Sequence, residues 1–324
     1  MARTFSGIQP TGTKHLGNYI GAIRHWVADQ DAGETFYCVV DLHAISVPYE
    51  PEALAENTLD TAATLLAAGI DPGRSTLFLQ SQVDAHTYGT WLLGALATMG
   101  ELRRMTQFKE KSEGRDSVSV DLFTYPVLQA ADILLYKADR VPVGDDQRQH
   151  LELARNIAQR FNNRFGELFP LPEASIPASG DRVMDLQEPT RKMSTTRGTP
   201  QGTLLLIDPP DVVQRKVRSA VTDSGREVRR GDGKEGIENL IDIYSVATGR
   251  SPEQIEADYE GKGYGDFKAD VADAVVEMLQ PIRDRYLELR ADEAELRSIL
   301  DRGRAHADGV ASATLAEMKR LMGF

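Results

Sequence analysis

The stretch Phe36-Tyr37-Cys38-Val39-Val40 decides the fold, because it is a short apolar run with two adjacent valines. Such a run is typical of a strand that is buried on both faces of a parallel sheet. The segments 4–8 and 76–79 predict two further strands, one before and one after it in the chain. Cys38 lies within the central strand, where a buried structural cysteine is the expected role.

Helical segments alternate with these strands. Residues 18–29 and 51–68 have helical spacing, and the second segment begins with Pro51, which suits the first turn of a helix. Alternating strands and helices predict an α/β fold with a doubly wound, Rossmann-like parallel sheet. Ligands bind such sheets beyond the carboxyl ends of the strands, and residues 7–17 and 41–43 lie at such ends.

The rest of the chain divides into an insertion, a helical region and a terminal helix. Residues 101–137 look helical and are expected to interrupt the sheet, which resumes with a strand at 138–144. After about residue 209 the strand signals fade. We therefore predict a nucleotide-binding domain over 1–190, a helical domain over 191–291, and a C-terminal helix over 292–324 that packs back on the first domain.

Composition argues against several classes of protein. Of the 324 residues 41% are apolar, and no apolar run reaches the roughly 18–20 residues of a membrane span. A single cysteine and a polar N-terminus predict a cytoplasmic protein without a disulfide, a cysteine-based zinc cluster or a signal peptide. The net charge of −12 counts against non-specific coating of nucleic acid. Basic patches at 215–218 and 226–230 fit either selective contact with an RNA or a solvated helix face.

The first candidate functional segment is Gly12-Thr13-Lys14-His15-Leu16-Gly17-Asn18, at the expected start of a helix. A helix N-terminus attracts phosphate, and Gly17 would let a nucleotide approach the backbone closely. His15 and Asn18 could donate hydrogen bonds to phosphoryl oxygens. The alternative is that Gly12 and Gly17 are turn residues and that Asn18 caps the helix.

The second candidate segment is Lys192-Met193-Ser194-Thr195-Thr196, which is polar and is followed by Gly198 and Gly202. A lysine ammonium on a mobile loop could follow a pyrophosphate leaving group, and closure of the loop would complete the site. Considered alone, the segment could equally be a surface turn.

Together these two segments resemble the paired signatures of class I aminoacyl-tRNA synthetases. Further segments resemble bacterial tryptophanyl-tRNA synthetases nearly end to end. They are 5–12, 17–22, 41–45, 105–112, 130–136, 141–147, 192–194, 219–224 and 259–265.

This resemblance implies an enzyme that activates L-tryptophan with ATP and transfers it to tRNA(Trp), with Mg2+ bridging the phosphates. It also implies a homodimer, a catalytic domain over 1–190 and an anticodon-recognition domain over 191–291. We assign no residue as a metal ligand. Two alternatives stay open: a tyrosine-activating sister enzyme, and a synthetase-like binding protein that does not charge tRNA.

The resemblance assigns the amino-acid pocket around Asp132, which would accept the indole N–H. A carboxylate only accepts and an indole N–H only donates, so the pair would reject phenylalanine. Without the family, Asp132 could be an acid on a helix surface, and His43 could be a structural histidine. The remaining tryptophan contacts implied by the family are Phe5, Gln9, His43, Tyr125, Gln129, Ile133, Val141, Val143 and Gln147.

The nucleotide site follows in the same way. Lys192, Lys111, His15 and Asn18 would be the catalytic residues. Two departures from the family stand out, because Thr195 replaces the second signature lysine and Gln129 replaces a methionine common among bacterial relatives. The implied ATP contacts are Gln9, Pro10, Thr11, Gly17, Asn18, Gly144, Asp146, Gln147, Lys192, Met193, Ser194 and Thr195.

Two sets of macromolecular contacts are hypotheses. The first set would bind tRNA phosphates and consists of Arg215, Lys216, Arg218 and Arg229. The second set would form the dimer interface, unless it belongs to the core, and consists of Leu92, Leu93, Leu96 and Met99.

Overall fold

A computed structural model describes residues 2–114, 117–144, 147–175 and 182–324. Within these ranges a parallel sheet has the strand order β3-β2-β1-β4-β5. This confirms the predicted doubly wound α/β fold. Its strands are β1 (Arg3–Ile8), β2 (Glu34–Val39), β3 (Thr76–Leu79), β4 (Arg140–Pro142) and β5 (Glu173–Ser175).

The described helices occupy the connections between strands and nearly all of the chain after β5. As the sequence predicted, the regular elements described after residue 209 are all helices. In chain order they are α1 (Leu16–Asn18), α2 (Arg24–Ala28), α3 (Asp41–Ala44), α4 (Pro51–Ala67), α5 (Ala85–Gly94), α6 (Met99–Arg104), α7 (Thr106–Ser112), α8 (Val120–Leu134), α9 (Arg148–Phe165), α10 (Pro210–Arg218), α11 (Glu235–Thr248), α12 (Pro252–Asp258), α13 (Tyr264–Ala291) and α14 (Glu293–Met322).

Local structure departs from the sequence expectations in a few places. The helix expected over 18–29 is divided, because a π-helical turn at Tyr19–Ile23 separates α1 from α2. Such wide turns are frequent at functional sites. Within the predicted insertion, Pro126 lies in the second turn of α8, which begins at Val120. β5 was missed, because its sequence Glu-Ala-Ser carries no strand signal.

The side chains of β2 alternate between two hydrophobic cores, as the pleat of a strand requires. Tyr37 and Val39 pack in the core that also holds the helices after residue 209. Phe36 and Cys38 pack on the opposite face, against α5, α8, α9 and α14. The prediction of a buried cysteine is therefore confirmed.

Two of the hypotheses about surface contacts are corrected by burial. Lys216 is buried, and its ammonium donates to Asp208 at 2.7 Å and to the carbonyl of Thr203 at 2.7 Å, so it is not placed to bind a phosphate. On α5, Leu92 and Leu93 belong to the core, as does Leu96 just after it. Helical spacing alone could not distinguish these core residues from an interface.

Helix α14 packs directly on β3. A Cβ atom on Gly303 would lie 1.9 Å from the carbonyl oxygen of Leu77, so only glycine permits this approach. Nearby, His306 Nδ1 lies 2.8 Å from Thr76 Oγ1. The division into domains, including the role of the C-terminal helix over 292–324, remains a prediction. No helix within the described ranges is long and apolar enough to cross a membrane.

We predict opposite stability effects for two alanine substitutions on α14. Gly303→Ala should lower the free energy of unfolding by about 1–3 kcal/mol or more, because the helix must move away from β3. Gly309→Ala should raise it by about 0.5–1 kcal/mol, since no atom lies within 4 Å of the new methyl group and alanine favours the helix. Urea unfolding of both variants measures this, and effects of the same sign would contradict the described packing.

Candidate active site

A cavity of about 480 Å³ lies beyond the carboxyl ends of the adjacent strands β1 and β4. This is the switch point of a doubly wound sheet, where the connections diverge and leave a crevice. Asn18 and Gly144 of the predicted nucleotide site line it. So do all residues predicted to contact the amino acid, namely Phe5, Gln9, His43, Tyr125, Gln129, Asp132, Ile133, Val141, Val143 and Gln147.

Asp132 is the buried charge of this cavity, with only 1% of its surface exposed. Its carboxylate lies 2.7 Å from His43 Nε2, 2.7 Å from Gln80 Nε2 and 2.6 Å from His86 Nδ1. Burial alone would raise the pKa of this carboxyl, but the hydrogen bonds and charges of the two histidines outweigh it and hold the pKa below its usual range. Asp132 is therefore an ionised group inside the fold and not a surface acid.

The bonds to Asp132 leave one acceptor position on its carboxylate. Oδ1 takes the contacts from Gln80 and His86, whereas Oδ2 takes only that from His43, and each oxygen can accept about two hydrogen bonds. The far nitrogen of His86 lies 2.8 Å from Tyr136 Oη. Burial raises the pKa of Tyr136, so its hydroxyl stays protonated. Because an ionised carboxylate only accepts, His86 Nδ1 is the donor to Asp132.

A second polar network lies next to the first, since the rings of Tyr125 and His43 are 6.1 Å apart and Tyr125 and Gln129 share helix α8 with Asp132. Tyr125 Oη lies 3.1 Å from Gln107 Oε1 and 3.1 Å from His150 Nε2. Gln147 Oε1 accepts from His150 Nδ1 at 3.0 Å and from Gln129 Nε2 at 3.4 Å. This wall offers hydroxyl and amide groups to a ligand that carries both a donor and an acceptor.

Apolar side chains complete the lining of the cavity beside these polar networks. Phe5 stacks on Tyr136 with ring centroids 5.4 Å apart, and Trp26 stacks on Tyr37 at 5.0 Å. Phe5 and Trp26 both line the cavity, as do Ile133 and Val141. The shape suits a planar apolar ring with a hydrogen-bond donor on its edge.

Sequence reasoning missed several of these residues. Gln80, His86, Tyr136 and His150 complete the two networks, and Trp26 adds an apolar wall. The one usable signal was the place of Gln80, directly after the predicted strand at 76–79. Asp146 and the side chain of Lys111 lie outside the described part of the chain.

The first candidate segment is held by pairing with a later stretch of chain. Leu16 N–H donates to the carbonyl of Leu204 at 2.8 Å, and Leu206 N–H donates to that of Lys14 at 3.0 Å. Asn18 Oδ1 accepts from the backbone N–H of His15 at 3.0 Å, so the cap residue is His15 and Asn18, the third helical residue, reaches back to it. Helix α1 begins at Leu16, two residues earlier than expected.

His15 is buried, with 7% of its surface exposed. Burial, followed by the positive charges of Lys14 and Lys192, lowers its pKa to about 4, so the imidazole is neutral near pH 7. Its Nδ1 has no hydrogen-bond partner among the described residues. A neutral imidazole with an unused nitrogen can take part in binding a ligand through one hydrogen bond.

The two candidate segments contact each other. A Cβ atom on Gly12 would lie 3.3 Å from Thr195 Oγ1, and one on Gly17 would lie 3.7 Å from Met193 Cβ. Met193 is buried, whereas Lys192 and Thr195 are exposed. The positive charge of Lys192 is one of those that lower the pKa of His15, so this part of the second segment also lies close to the first.

Asp185 organises the loop that carries the second segment by accepting hydrogen bonds from residues on both sides of that segment. Its buried carboxylate accepts backbone N–H donors from Gln187 at 2.8 Å, Glu188 at 3.1 Å and Thr199 at 2.9 Å. A Cβ atom on Gly202 would lie 1.7 Å from the same carboxylate. The loop therefore closes around one acid, which the sequence analysis did not single out.

The fold, the cavity at the switch point and the two apposed loops agree with a class I tRNA synthetase. The chain belongs to the family described as "tRNA synthetases class I (W and Y)", whose model matches residues 1–280.

A curated relative, the tryptophan–tRNA ligase of Caldanaerobacter subterraneus subsp. tengcongensis, is 50% identical over 324 residues, covering 100% of this chain and 98% of the relative. The tryptophanyl-tRNA synthetase structure from Mycoplasma pneumoniae has a TM-score of 0.90 at 36% identity, covering 100% and 98% of the two chains. That from Campylobacter jejuni, complexed with ADP and tryptophan, has a TM-score of 0.87 at 34% identity, covering 99% and 100%.

We predict that Asp185→Ala loosens the second segment. Buried N–H groups left without an acceptor cost about 1–3 kcal/mol each, so unfolding should become easier by at least that amount. Trypsin should also cut faster at Arg191, Lys192 and Arg197, which are exposed. The control is Glu188→Ala on the same loop, which removes only an exposed ion pair with Arg191. Equal cleavage rates for the two variants would contradict the role given to Asp185.

Proposed function

We propose that this chain activates L-tryptophan with ATP to tryptophanyl-adenylate and pyrophosphate, and then transfers the tryptophanyl group to tRNA(Trp). Full-length relatives that are tryptophan–tRNA ligases support this activity. The observation that carries it in the molecule is the ionised Asp132, with one acceptor position left, in the wall of a flat apolar cavity. The indole ring has the matching shape and its N–H is a donor only.

The residues of the cavity support a division of labour around the amino acid. Asp132 would accept the indole N–H, with Phe5 and Val141 on the faces of the ring. Tyr125, Gln147 and Gln9 would bind the α-amino and carboxylate groups. Phenylalanine has no ring donor and would leave one acceptor position of the buried carboxylate unfilled and shielded from water, which is a costly state. Tyrosine carries a donor, so its rejection rests on ring size and position.

The first reaction step needs positioning and charge stabilisation. The tryptophan carboxylate attacks the α-phosphorus in line, and the bond to the pyrophosphate oxygen breaks. A carboxylate is already a nucleophile, so this step needs no general base. His15 and Asn18 on the first loop, with Lys192 and Lys111, would stabilise the charge that develops on the phosphates. The terminal ribose hydroxyl of the tRNA then attacks the adenylate carbonyl and releases AMP.

ATP binding is supported by the related structure complexed with ADP. Thr195, where the family has its second lysine, would offer a hydroxyl in place of a charge. Mg2+ would accompany ATP as part of the substrate, bridging phosphate oxygens. No cluster of three His, Cys, Asp or Glu side chains suited to a metal occurs within the described ranges.

We also propose a cytoplasmic homodimer that recognises tRNA through its helical region. The apolar surface near α5 and α6 supports a dimer, because Trp91 is 82% exposed and Met99 is 58% exposed. Of the residues proposed for tRNA, Arg215 and Arg218 are exposed on α10. Arg229 pairs with Glu227 at 2.9 Å in an exposed position, where a phosphate could displace the carboxylate.

We predict that the chain exchanges labelled pyrophosphate into ATP in the presence of tryptophan. The value of kcat/KM with phenylalanine should be lower by about 10⁴-fold or more, since a site built for a donor rejects the analogue that lacks it. Exchange with tyrosine but not tryptophan would identify the sister reaction instead. Binding of tryptophan and ATP without any exchange would identify a binding protein. Charging of tRNA(Trp) completes the test.

We predict a selective loss of tryptophan affinity for Asp132→Asn. A hydrogen bond to a charged group contributes about 1.5–3 kcal/mol, so KM for tryptophan should rise roughly 10- to 100-fold while KM for ATP changes little. Asp121→Asn, in the first turn of the same helix α8, is the matched control and should stay within about twofold of the wild type. Similar KM values for the two variants would reject the role of Asp132.

A further inference from the structure

Lys14 is a buried lysine inside the first loop, with 3% of its surface exposed. Its ammonium donates to the carbonyl oxygen of Gln9 at 2.7 Å and to that of Gly12 at 3.1 Å. No carboxylate within the described ranges lies at ion-pair distance from it. The other buried lysine, Lys216, has Asp208 as its counter-charge at 2.7 Å. The charge of Lys14 is therefore balanced only by carbonyl dipoles.

A buried ammonium that has only carbonyl oxygens as described partners costs free energy. Burial lowers the pKa of Lys14 to about 8, because the low-dielectric surroundings disfavour its charged form. Buried charges usually have a charged partner, and none is provided here by the described part of the chain. Lys14 is followed directly by His15, whose buried Nδ1 also has no hydrogen-bond partner among the described residues.

The two carbonyls held by Lys14 define the shape of the turn at 9–12. Gly12 has a positive φ of 70°, and its outer side faces Thr195 of the second loop. The peptide bonds of the described chain are trans, so a carbonyl that points at the ammonium directs the N–H of the next residue away from it. Lys14 therefore fixes the orientation of the Gly12–Thr13 peptide and the position of the backbone at Gln9, whose residue lines the cavity.

We propose that Lys14 is a positioning residue for ATP, whose buried ammonium holds the 9–12 turn in the conformation that receives the nucleotide. The inference rests on the proposed function and assigns this side chain a part in it. Lys14 acts through the backbone and not by touching the reacting atoms. The phosphates of ATP, bound beside the turn, supply the negative charge that the unliganded loop lacks.

The test compares Lys14→Met with Lys14→Arg. Methionine keeps most of the apolar stem but removes the charge and leaves two carbonyls without their donor, whereas arginine keeps both charge and donors. The matched control is Lys268→Met. Lys268 donates to the carbonyl of Ala220 at 2.8 Å and has a pKa lowered by burial, but it lies in the helical region away from the cavity.

Equilibrium binding of ATP and of tryptophan is measured by calorimetry, together with thermal unfolding. Lys14→Met should weaken ATP binding by about tenfold or more, the loss expected from a charged hydrogen bond, and change tryptophan binding by less than about threefold. Lys14→Arg should recover most of the ATP affinity. Lys268→Met should lower the unfolding temperature and leave both affinities as they are.

Two results would overturn the proposal. One is a folded Lys14→Met variant that binds ATP as tightly as the wild type. The other is a parallel loss of both affinities and of thermal stability, which would mark a purely structural residue. If Lys14→Met does not fold, Lys14→Gln is tested instead. The proposal then requires that Lys14→Arg bind ATP more tightly than Lys14→Gln.

The outcome is separable from that of the proposed function. A wild-type chain that binds ATP but activates a different amino acid would reject only the assignment of tryptophan, and the Lys14 comparison would still apply. A wild-type chain that binds no ATP would overturn both proposals.

Discussion

One buried carboxylate constrains the whole catalytic region. Asp132 cannot remain ionised inside the fold without donors, and those donors come from three other elements. His43 stands on α3 after β2, Gln80 follows β3, and His86 lies on α5. Satisfying this single charge therefore fixes the carboxyl ends of two strands against helices α5 and α8. The cavity takes its shape from the same contacts that stabilise its charge.

The proposed nucleotide side of the site depends on close contact between two loops that are far apart in the sequence. Glycines at 12 and 17 suit this arrangement: a side chain at 12 would strain the turn and crowd Thr195 of the second loop, and one at 17 would crowd the imidazole of His15. Each loop is organised around one buried charge. Asp185 gathers backbone N–H groups inside the second loop, and Lys14 gathers carbonyl groups inside the first. The two charges have opposite sign, and each holds its loop through hydrogen bonds to the backbone, Asp185 to N–H groups and Lys14 to carbonyl groups.

Short-range patterns predicted much of the fold. The strand at 76–79 was predicted with the bounds that the structure has, because apolar spacing is encoded locally. The strand at 173–175 and the π-helical turn at 19–23 were missed, because local propensity does not indicate them. The strand forms by pairing with β4, which lies far from it in the sequence. Burial of Lys216 was likewise invisible, since a lysine beside two arginines looks solvated in the sequence.

The sequence by itself determined the order of strands and helices, the two polar loops, and Asp132 as a lone acid in an apolar helix. Only the tertiary structure decided that Asp132 meets His43, Gln80 and His86, and that Lys14 is buried with no carboxylate from the described ranges as its counter-charge. The physical reason is distance along the chain, because the partners of Asp132 lie 46 to 89 residues away from it. Helical and strand periodicity report which way a side chain faces, whereas its partner is set by how distant segments pack.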